Sequence, residues 1–185
     1  MENIIDKVKE TINVKPSAVI CIDGCCASGK TTLAQKLAEY FGAQVIHMDD
    51  FFLPPEMRTV ERLSQAGGNV HHERFTNEVI NGIKSGREFR YHSFCCKDGS
   101  LSLSEPIYPD KPIIIEGSYS MHPEIPDIYD IRIFVKTSYN NQLKRIAERN
   151  GNDALEVFES KWIPLENKYF EFYNIESKSD IITET

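Results

Sequence analysis

The sequence predicts an α/β fold, a parallel sheet covered by helices on both faces. Three observations carry this. Short apolar runs alternate with segments of helical spacing along the chain. The stretch Gly24-Cys25-Cys26-Ala27-Ser28-Gly29-Lys30-Thr31 reads G-x-x-x-x-G-K-[ST], a phosphate-binding loop, and stands between a strand-like run and a helical one. Ile113-Ile114-Ile115-Glu116 is the most apolar strand-like run, and it ends in an acid.

The loop chemistry follows from its residues. Gly24 and Gly29 let the backbone turn tightly and approach a phosphate with no Cβ in the way. Backbone N–H groups then face the anion, helped by the N-terminus of the following helix. Lys30 would reach the β- and γ-phosphates, and the Thr31 hydroxyl would hold Mg²⁺.

Composition narrows the function classes. The chain of 185 residues fits one domain with a real core. Its formal net charge of −7 and the lack of a basic stripe argue against a nucleic-acid partner. No apolar run approaches the ~20 residues of a membrane span, and Met1 to Glu10 lacks the apolar centre of a signal peptide. A cytoplasmic location with no membrane partner is the expectation, with a homo-oligomer left open. The five cysteines, Cys21, Cys25, Cys26, Cys95 and Cys96, contain no C-x-x-C and read as reduced thiols. Cys25 and Cys26 lie near a helix N-terminus, a position that can lower a thiol pKa, so sensitivity to oxidation is the alternative reading for these two.

In chain order, Ile4, Ile5, Val8 and Ile12 mark an amphipathic helix stopped before Pro16. Ala18 to Ile22 forms the strand before the phosphate loop. Leu33, Ala34, Leu37, Ala38 and Phe41 mark the helix after it, with Gly42 as its C-cap. Ala43 to Met48 reads as a second strand, ending in Asp49-Asp50-Phe51-Phe52. Acids at a strand's C-terminal end sit where open α/β sheets place ligands, and a carboxylate there suits a general base or a water-mediated Mg²⁺ contact. An acidic turn without function is the other reading.

Pro54-Pro55 and Gly67-Gly68 bracket an expected loop that covers substrate. His71 and His72 suit substrate contact or a solvated loop. A helix through Val79, Ile80 and Ile83 should end at Gly86. Phe89 to Phe94 reads as a short strand, and a hairpin turn is expected over Lys97-Asp98-Gly99-Ser100. Glu116, beside the phosphate loop in a parallel sheet, would help hold Mg²⁺. Asp130 to Thr137 is another strand. Arg145 and Arg149 fall one turn apart on the next helix and suit either a phosphate clamp or solvent. The aromatic stripe Leu155, Phe158, Trp162, Leu165, Tyr169 and Phe172 is expected to face the core, in a helix kinked or broken at Pro164. Ile181-Ile182 suits a last short strand.

Taken together, Gly24 to Thr31, Met48-Asp49-Asp50-Phe51-Phe52-Leu53-Pro54, Ile113 to Gly117, Arg145 with Arg149, and Trp162-Ile163-Pro164-Leu165-Glu166 with Tyr169-Phe170 resemble the uridine kinase-like branch of P-loop kinases, to which nicotinamide riboside kinases are related. The resemblance covers nearly the whole chain. It implies a single P-loop kinase domain over residues 1–185, a three-layer sandwich with a five-stranded parallel sheet and a short lid. It also implies transfer of the γ-phosphoryl group of ATP, with Mg²⁺, to a hydroxyl of a nucleoside-like small molecule.

Residue by residue, the resemblance implies Asp49 as the base, Lys30, Arg145 and Arg149 as catalytic cations, and Thr31, Glu116 and Asp49 around the metal. Gly24 through Thr31, with Thr32, would hold the nucleotide. Asp49, Phe52, His71, Arg74, Tyr91 and His92 would face the acceptor. His71 stands where the family carries an aspartate that binds ribose hydroxyls. Uridine or cytidine is the leading acceptor, and nicotinamide riboside or another hydroxylated metabolite such as pantothenate the next. An ATP-binding regulatory protein without an acceptor is the rival of another class.

Overall fold

The computed structural model describes residues 2–96 and 98–185. Helix α1 (Glu2–Val14) leads into β1 (Val19–Gly24), α2 (Lys30–Phe41) and β2 (Gln44–His47). Short turns at Met48–Phe51 and Pro55–Met57 and helix α3 (Val60–Leu63) follow. Helices α4 (His72–Phe75) and α5 (Asn81–Ser85) flank a π-turn at Thr76–Ile80 and make one continuous helical run. Strands β3 (His92–Phe94) and β4 (Leu101–Leu103) form an antiparallel hairpin. Then come β5 (Ile113–Glu116), β6 (Ile131–Lys136), α6 (Tyr139–Asn150), α7 (Asn152–Val157), a π-turn at Phe158–Trp162, α8 (Ile163–Tyr173) and β7 (Ile181–Glu184).

Five strands form one parallel sheet in the order β2-β5-β1-β6-β7. Successive side chains on a strand point to opposite faces, and here both faces are covered, which is why the strands read as unbroken apolar runs. Ile20, Ile22, Ile114, Ile133 and Val135 pack with Leu33, Ala34 and Leu37 of α2 and Ile4 and Val8 of α1 on one face. Val19, Ile46, Ile113, Ile115 and Phe134 meet Phe75, Val79, Ile80 and Tyr169 on the other. Truncating a fully buried member such as Ile114 would cost about 2–5 kcal/mol.

The expected glycine C-caps are present. Gly42 closes α2 and Gly86 closes α5, both left-handed. Gly24 meets a sharper constraint. Its φ is +139°, and a Cβ there would lie 2.0 Å from the Val135 carbonyl oxygen of the neighbouring strand, so only glycine fits the mouth of the phosphate loop.

The structure differs from the sequence reading in three places. The segment between Pro54 and Gly67 is a chain of short turns around α3, whose N-cap Thr59 accepts the Arg62 N–H, and not an irregular loop. The strand expected from Phe89 begins only at His92, while Phe89 makes a separate bridge to Ile107. The hairpin has its turn near Asp98 to Ser100, where Asp98 accepts the Ser100 N–H; Lys97 lies outside the described residues.

The third difference concerns the last helical run. Pro164 does not break it. Proline lacks the N–H that would bond the carbonyl four residues back, and that carbonyl belongs to Ser160, inside the π-turn at Phe158–Trp162. The π-turn absorbs the proline. The stripe on this run is not a core face throughout: Tyr169 is buried, Leu155, Phe158, Trp162 and Leu165 are half-buried, and Phe172 is 69% exposed. Ile163, Glu166 and Tyr169 are the buried side of α8.

Candidate active site

A cleft of about 1330 Å³ opens at the C-terminal ends of β1 and β5. The phosphate loop forms its floor, the turns after β2 one wall, and the π-turn and α8 the other. This is the end of the sheet at which open α/β folds bind ligands.

On the floor, Gly29 adopts φ +91° and starts α2, so the first N–H groups of that helix face the cleft. Lys30 is buried, and its Nζ donates to the Gly24 and Cys25 carbonyls at 2.8 and 2.7 Å. Ser28 Oγ is buried with no hydrogen-bond partner among the described residues. A loop that excludes Cβ atoms, presents N–H groups and leaves a buried hydroxyl unpaired fits a bound phosphate chain.

Beside the floor, Thr31 Oγ1 donates to Glu116 Oε1 at 3.1 Å. The parallel register that aligns Ile22 with Glu116 makes this contact. Glu116 Oε1 also meets His47 Nδ1 at 2.6 Å, and that hydrogen bond raises the His47 pKa. A hydroxyl and a carboxylate offer the hard oxygen donors that Mg²⁺ takes.

Asp49 lines the cleft. Burial raises its pKa, the Lys30 charge opposes the rise, and Glu116 adds to it. Its neighbour Asp50 is engaged elsewhere, accepting from Tyr91 Oη at 3.0 Å and from the Ser93 hydroxyl. The strand-end acid pair thus splits into one cleft-facing carboxylate and one that pins the β3–β4 hairpin.

Arg145 and Arg149 also line the cleft. Arg145 Nη1 donates to the Ala27 carbonyl of the phosphate loop at 3.2 Å and to Thr185 Oγ1 at 2.8 Å. Among the described residues, Arg149 donates from Nε to its neighbour Asn150 alone.

Of the residues expected to face an acceptor, Asp49 and Phe52 line the cleft and four do not. Arg74 stacks over Phe51 at 4.3 Å and donates to the backbone carbonyls of Asp50 and His92. Tyr91 is buried and held by Asp50, and His92 pairs with Glu78. His71 N-caps α4: its Nδ1 accepts the Arg74 N–H at 3.3 Å and lies 3.1 Å from Glu73. These side chains tie the hairpin and α4 to the turn after β2.

The thiols follow the reading as plain reduced cysteines and not the alternative of a lowered pKa. Burial and the nearby Glu166 carboxylate raise the pKa of both Cys25 and Cys26, overriding the helix N-terminus.

Several cleft residues were given no role at the site from sequence. Glu166 Oε2 accepts the Cys26 N–H at 2.8 Å, and its Oε1 accepts from Ser118 Oγ at 2.7 Å. Buried Gln142 donates to the Cys26 carbonyl at 3.0 Å. Trp162 and Phe158 form the wall facing Phe52, with the Phe52 and Trp162 rings 6.1 Å apart. Asn69 and Tyr119 line the cleft with buried side-chain polar atoms that lie next to each other. Their sequence signal is weak, since each is one polar residue beside a predicted element.

The fold and this floor define a nucleotide-binding protein of the P-loop class. No protein-family model matches the chain. It is 28% identical over 169 residues to a uridine kinase of Chlamydia pneumoniae, covering 83% of this chain and 76% of that one. It is 31% identical over 136 residues to the tRNA-specific adenosine deaminase subunit tad2 of Schizosaccharomyces pombe, 70% of this chain but 32% of that protein. It is 22% identical over 146 residues to a phosphoribulokinase of Synechocystis, 76% of this chain and 44% of that one. A solved structure described as a possible uridine kinase from Bacillus stearothermophilus superposes with a TM-score of 0.68 at 21% identity, over 98% of this chain and 97% of that one. In sequence and fold the chain is similar to uridine kinase-like P-loop kinases, which are small-molecule phosphotransferases. Among the described residues, no helix is long and apolar enough to cross a membrane.

Proposed function

We propose that the chain transfers the γ-phosphoryl group of ATP to a hydroxyl of a nucleoside-type small molecule, with uridine and cytidine the first acceptors to test. The observation that carries this is the shared cleft: Asp49 stands in the same cavity as Lys30 and the Thr31–Glu116 pair. A protein that only sensed ATP would need no carboxylate in the same cleft as the phosphate floor.

In this reading the acceptor O–H gives its proton to Asp49 as the oxygen bonds to the γ-phosphorus and the bond to the β-phosphate oxygen breaks, leaving ADP. Lys30 turns from the Gly24 and Cys25 carbonyls to the phosphate chain, and Arg145 and Arg149 add positive charge at its outer end. Thr31 and Glu116 would hold Mg²⁺, which neutralises phosphate charge when bound. Little covalent chemistry is asked of the protein, so positioning carries most of the rate.

The kinase of Chlamydia pneumoniae is named for uridine and that of Synechocystis for phosphoribulose. Both names concern hydroxylated acceptors, which supports the reaction class more than one substrate. The test is ADP release from Mg²⁺-ATP with uridine, cytidine, nicotinamide riboside, pantothenate or no acceptor. Stimulation by a nucleoside is the expected result. Stimulation only by pantothenate would move the acceptor outside the nucleoside class.

A further inference from the structure

We propose that Gln142 of α6 and Thr185, just after β7, are positioning residues that brace the phosphate loop from outside and hold its N–H groups ready for a phosphate chain. This rests on the nucleotide half of the kinase reading and not on any acceptor.

Three successive carbonyls of the loop are each held by a side chain from a distant part of the sequence. Gln142 Nε2 donates to the Cys26 carbonyl at 3.0 Å. Arg145 Nη1 donates to the Ala27 carbonyl at 3.2 Å. Thr185 Oγ1 donates to the Ser28 carbonyl at 2.8 Å and accepts from Arg145 Nη1 at 2.8 Å. A trans peptide points its N–H opposite to its C=O. Each held carbonyl therefore fixes the N–H of the next residue, here Ala27, Ser28 and Gly29. The Ser28 N–H closes a turn on the Cys25 carbonyl at 3.2 Å. Among the described residues, no partner takes the Ala27 or Gly29 N–H, and both residues line the cleft. The brace thus aims two open donors.

The loop does not hold this shape by itself. Ala27 has φ +57°, a left-handed conformation that a residue with a Cβ adopts at a cost. The Ser28 hydroxyl adds no tie, since it has no partner among the described residues. Without outside support the donors would lose their common direction, and a phosphate would have to order them as it bound.

The bracing side chains are themselves fixed. Gln142 is 5% exposed, and a buried amide persists where a hydrogen bond offsets its lost hydration. It lies outside the cleft lining, so it acts only through the loop. The Thr185 N–H donates to the Lys136 carbonyl at 3.0 Å, and its carbonyl accepts from Thr137 Oγ1 at 2.7 Å, which ties it to the end of β6. Neither side chain carries charge, so what each contributes is geometry.

The experiment titrates Mg²⁺-ATP and inorganic tripolyphosphate with Mg²⁺, by calorimetry, into the wild type, Gln142→Met, Thr185→Val and Thr185→Ser. Methionine and valine keep the approximate shape and remove the donor, while serine keeps the hydroxyl. Thermal midpoints read folding on the same samples. If Gln142→Met does not fold, the exposed Thr185 pair of variants decides.

The expected result is that both ligands bind the wild type. Gln142→Met and Thr185→Val then weaken both ligands by a shared factor of about two to ten, the effect of one lost neutral hydrogen bond. Thr185→Ser restores wild-type affinity, and the KM for ATP rises with the dissociation constant while the acceptor KM stays. Unchanged tripolyphosphate affinity in the variants overturns the proposal. With weakened ATP it would place the side chains at the nucleoside end of the ligand, and with unchanged ATP it would leave them a role in folding alone. Absence of tripolyphosphate binding to the wild type, or no restoration by Thr185→Ser, overturns it as well. The kinase reading fails separately, through wild-type protein that binds ATP and releases no ADP with any acceptor, an outcome these titrations do not depend on.

Discussion

The Glu166 carboxylate accepts the Cys26 N–H at 2.8 Å across 140 positions of sequence. A carboxylate of α8 therefore sits on one of the phosphate loop's own donors. Ser118 holds its other oxygen, so α8, β5 and the loop are joined at one point.

This contact sets an expectation for ATP affinity. A phosphate that takes the Cys26 N–H must displace a negative charge, and two like charges a few ångströms apart repel by up to about 4 kcal/mol where the effective dielectric is intermediate. Glu166→Gln keeps an acceptor for Cys26 and removes the charge. ATP binding measured by calorimetry should tighten by about threefold or more. Weaker binding in Glu166→Gln would show that the carboxylate supports the nucleotide-bound loop.

Asp49→Asn should lower kcat by ~10²–10⁴ while leaving ATP affinity in place, because an amide cannot accept the acceptor's proton. Steady-state kinetics with separate ATP binding checks both halves. Full activity would remove Asp49 as the base.

Stability should fall in mild acid through His122. Its ring is buried, stacks on His72 at 4.9 Å and lies over Tyr169, with Arg62, Glu73 and Tyr173 around it. Burial, helped by the His72 and Arg62 charges, holds its pKa down at about 4, against an ordinary 6.5. Between those values the unfolded chain binds a proton that the folded chain refuses. Stability is therefore full above pH 6.5 and lost as pH falls toward 4, by up to about 3 kcal/mol. His72, also lowered mainly by burial, acts in the same direction. Urea midpoints at pH 7.5 and pH 5 should differ in the wild type and differ less in His122→Phe. An equal drop in both would assign the acid sensitivity elsewhere.

The phosphate-loop thiols should resist oxidation at neutral pH, because a raised pKa leaves little thiolate. Brief peroxide treatment should leave the initial rate unchanged. Inactivation that ATP prevents would contradict this.

Much of this molecule was legible in its sequence, for a physical reason. Parallel strands buried on both faces must be apolar throughout, so Val19 to Ile22, Ile113 to Ile115 and Ile131 to Val135 announce themselves, and the phosphate loop between β1 and α2 does the same. The short β7 was visible from Ile181-Ile182. What failed was the direction of side chains set by distant partners. The period of Leu155, Phe158, Trp162 and Leu165 marks one face of a helical run, but period says nothing about whether that face meets core or cleft. Arg74, Tyr91 and His92 carry groups suited to a ligand, yet Asp50, Phe51 and Glu78 claim them. Asn69, Tyr119 and Glu166 reach the cleft only because strand order brings residues from three parts of the chain to one place.

The most direct measurement is ADP release from Mg²⁺-ATP, with and without uridine, cytidine and nicotinamide riboside, in the wild type and Lys30→Ala. Acceptor-dependent release in the wild type that Lys30→Ala abolishes is the expected result. ATP binding with no acceptor-dependent release across the panel would contradict a nucleoside-type kinase.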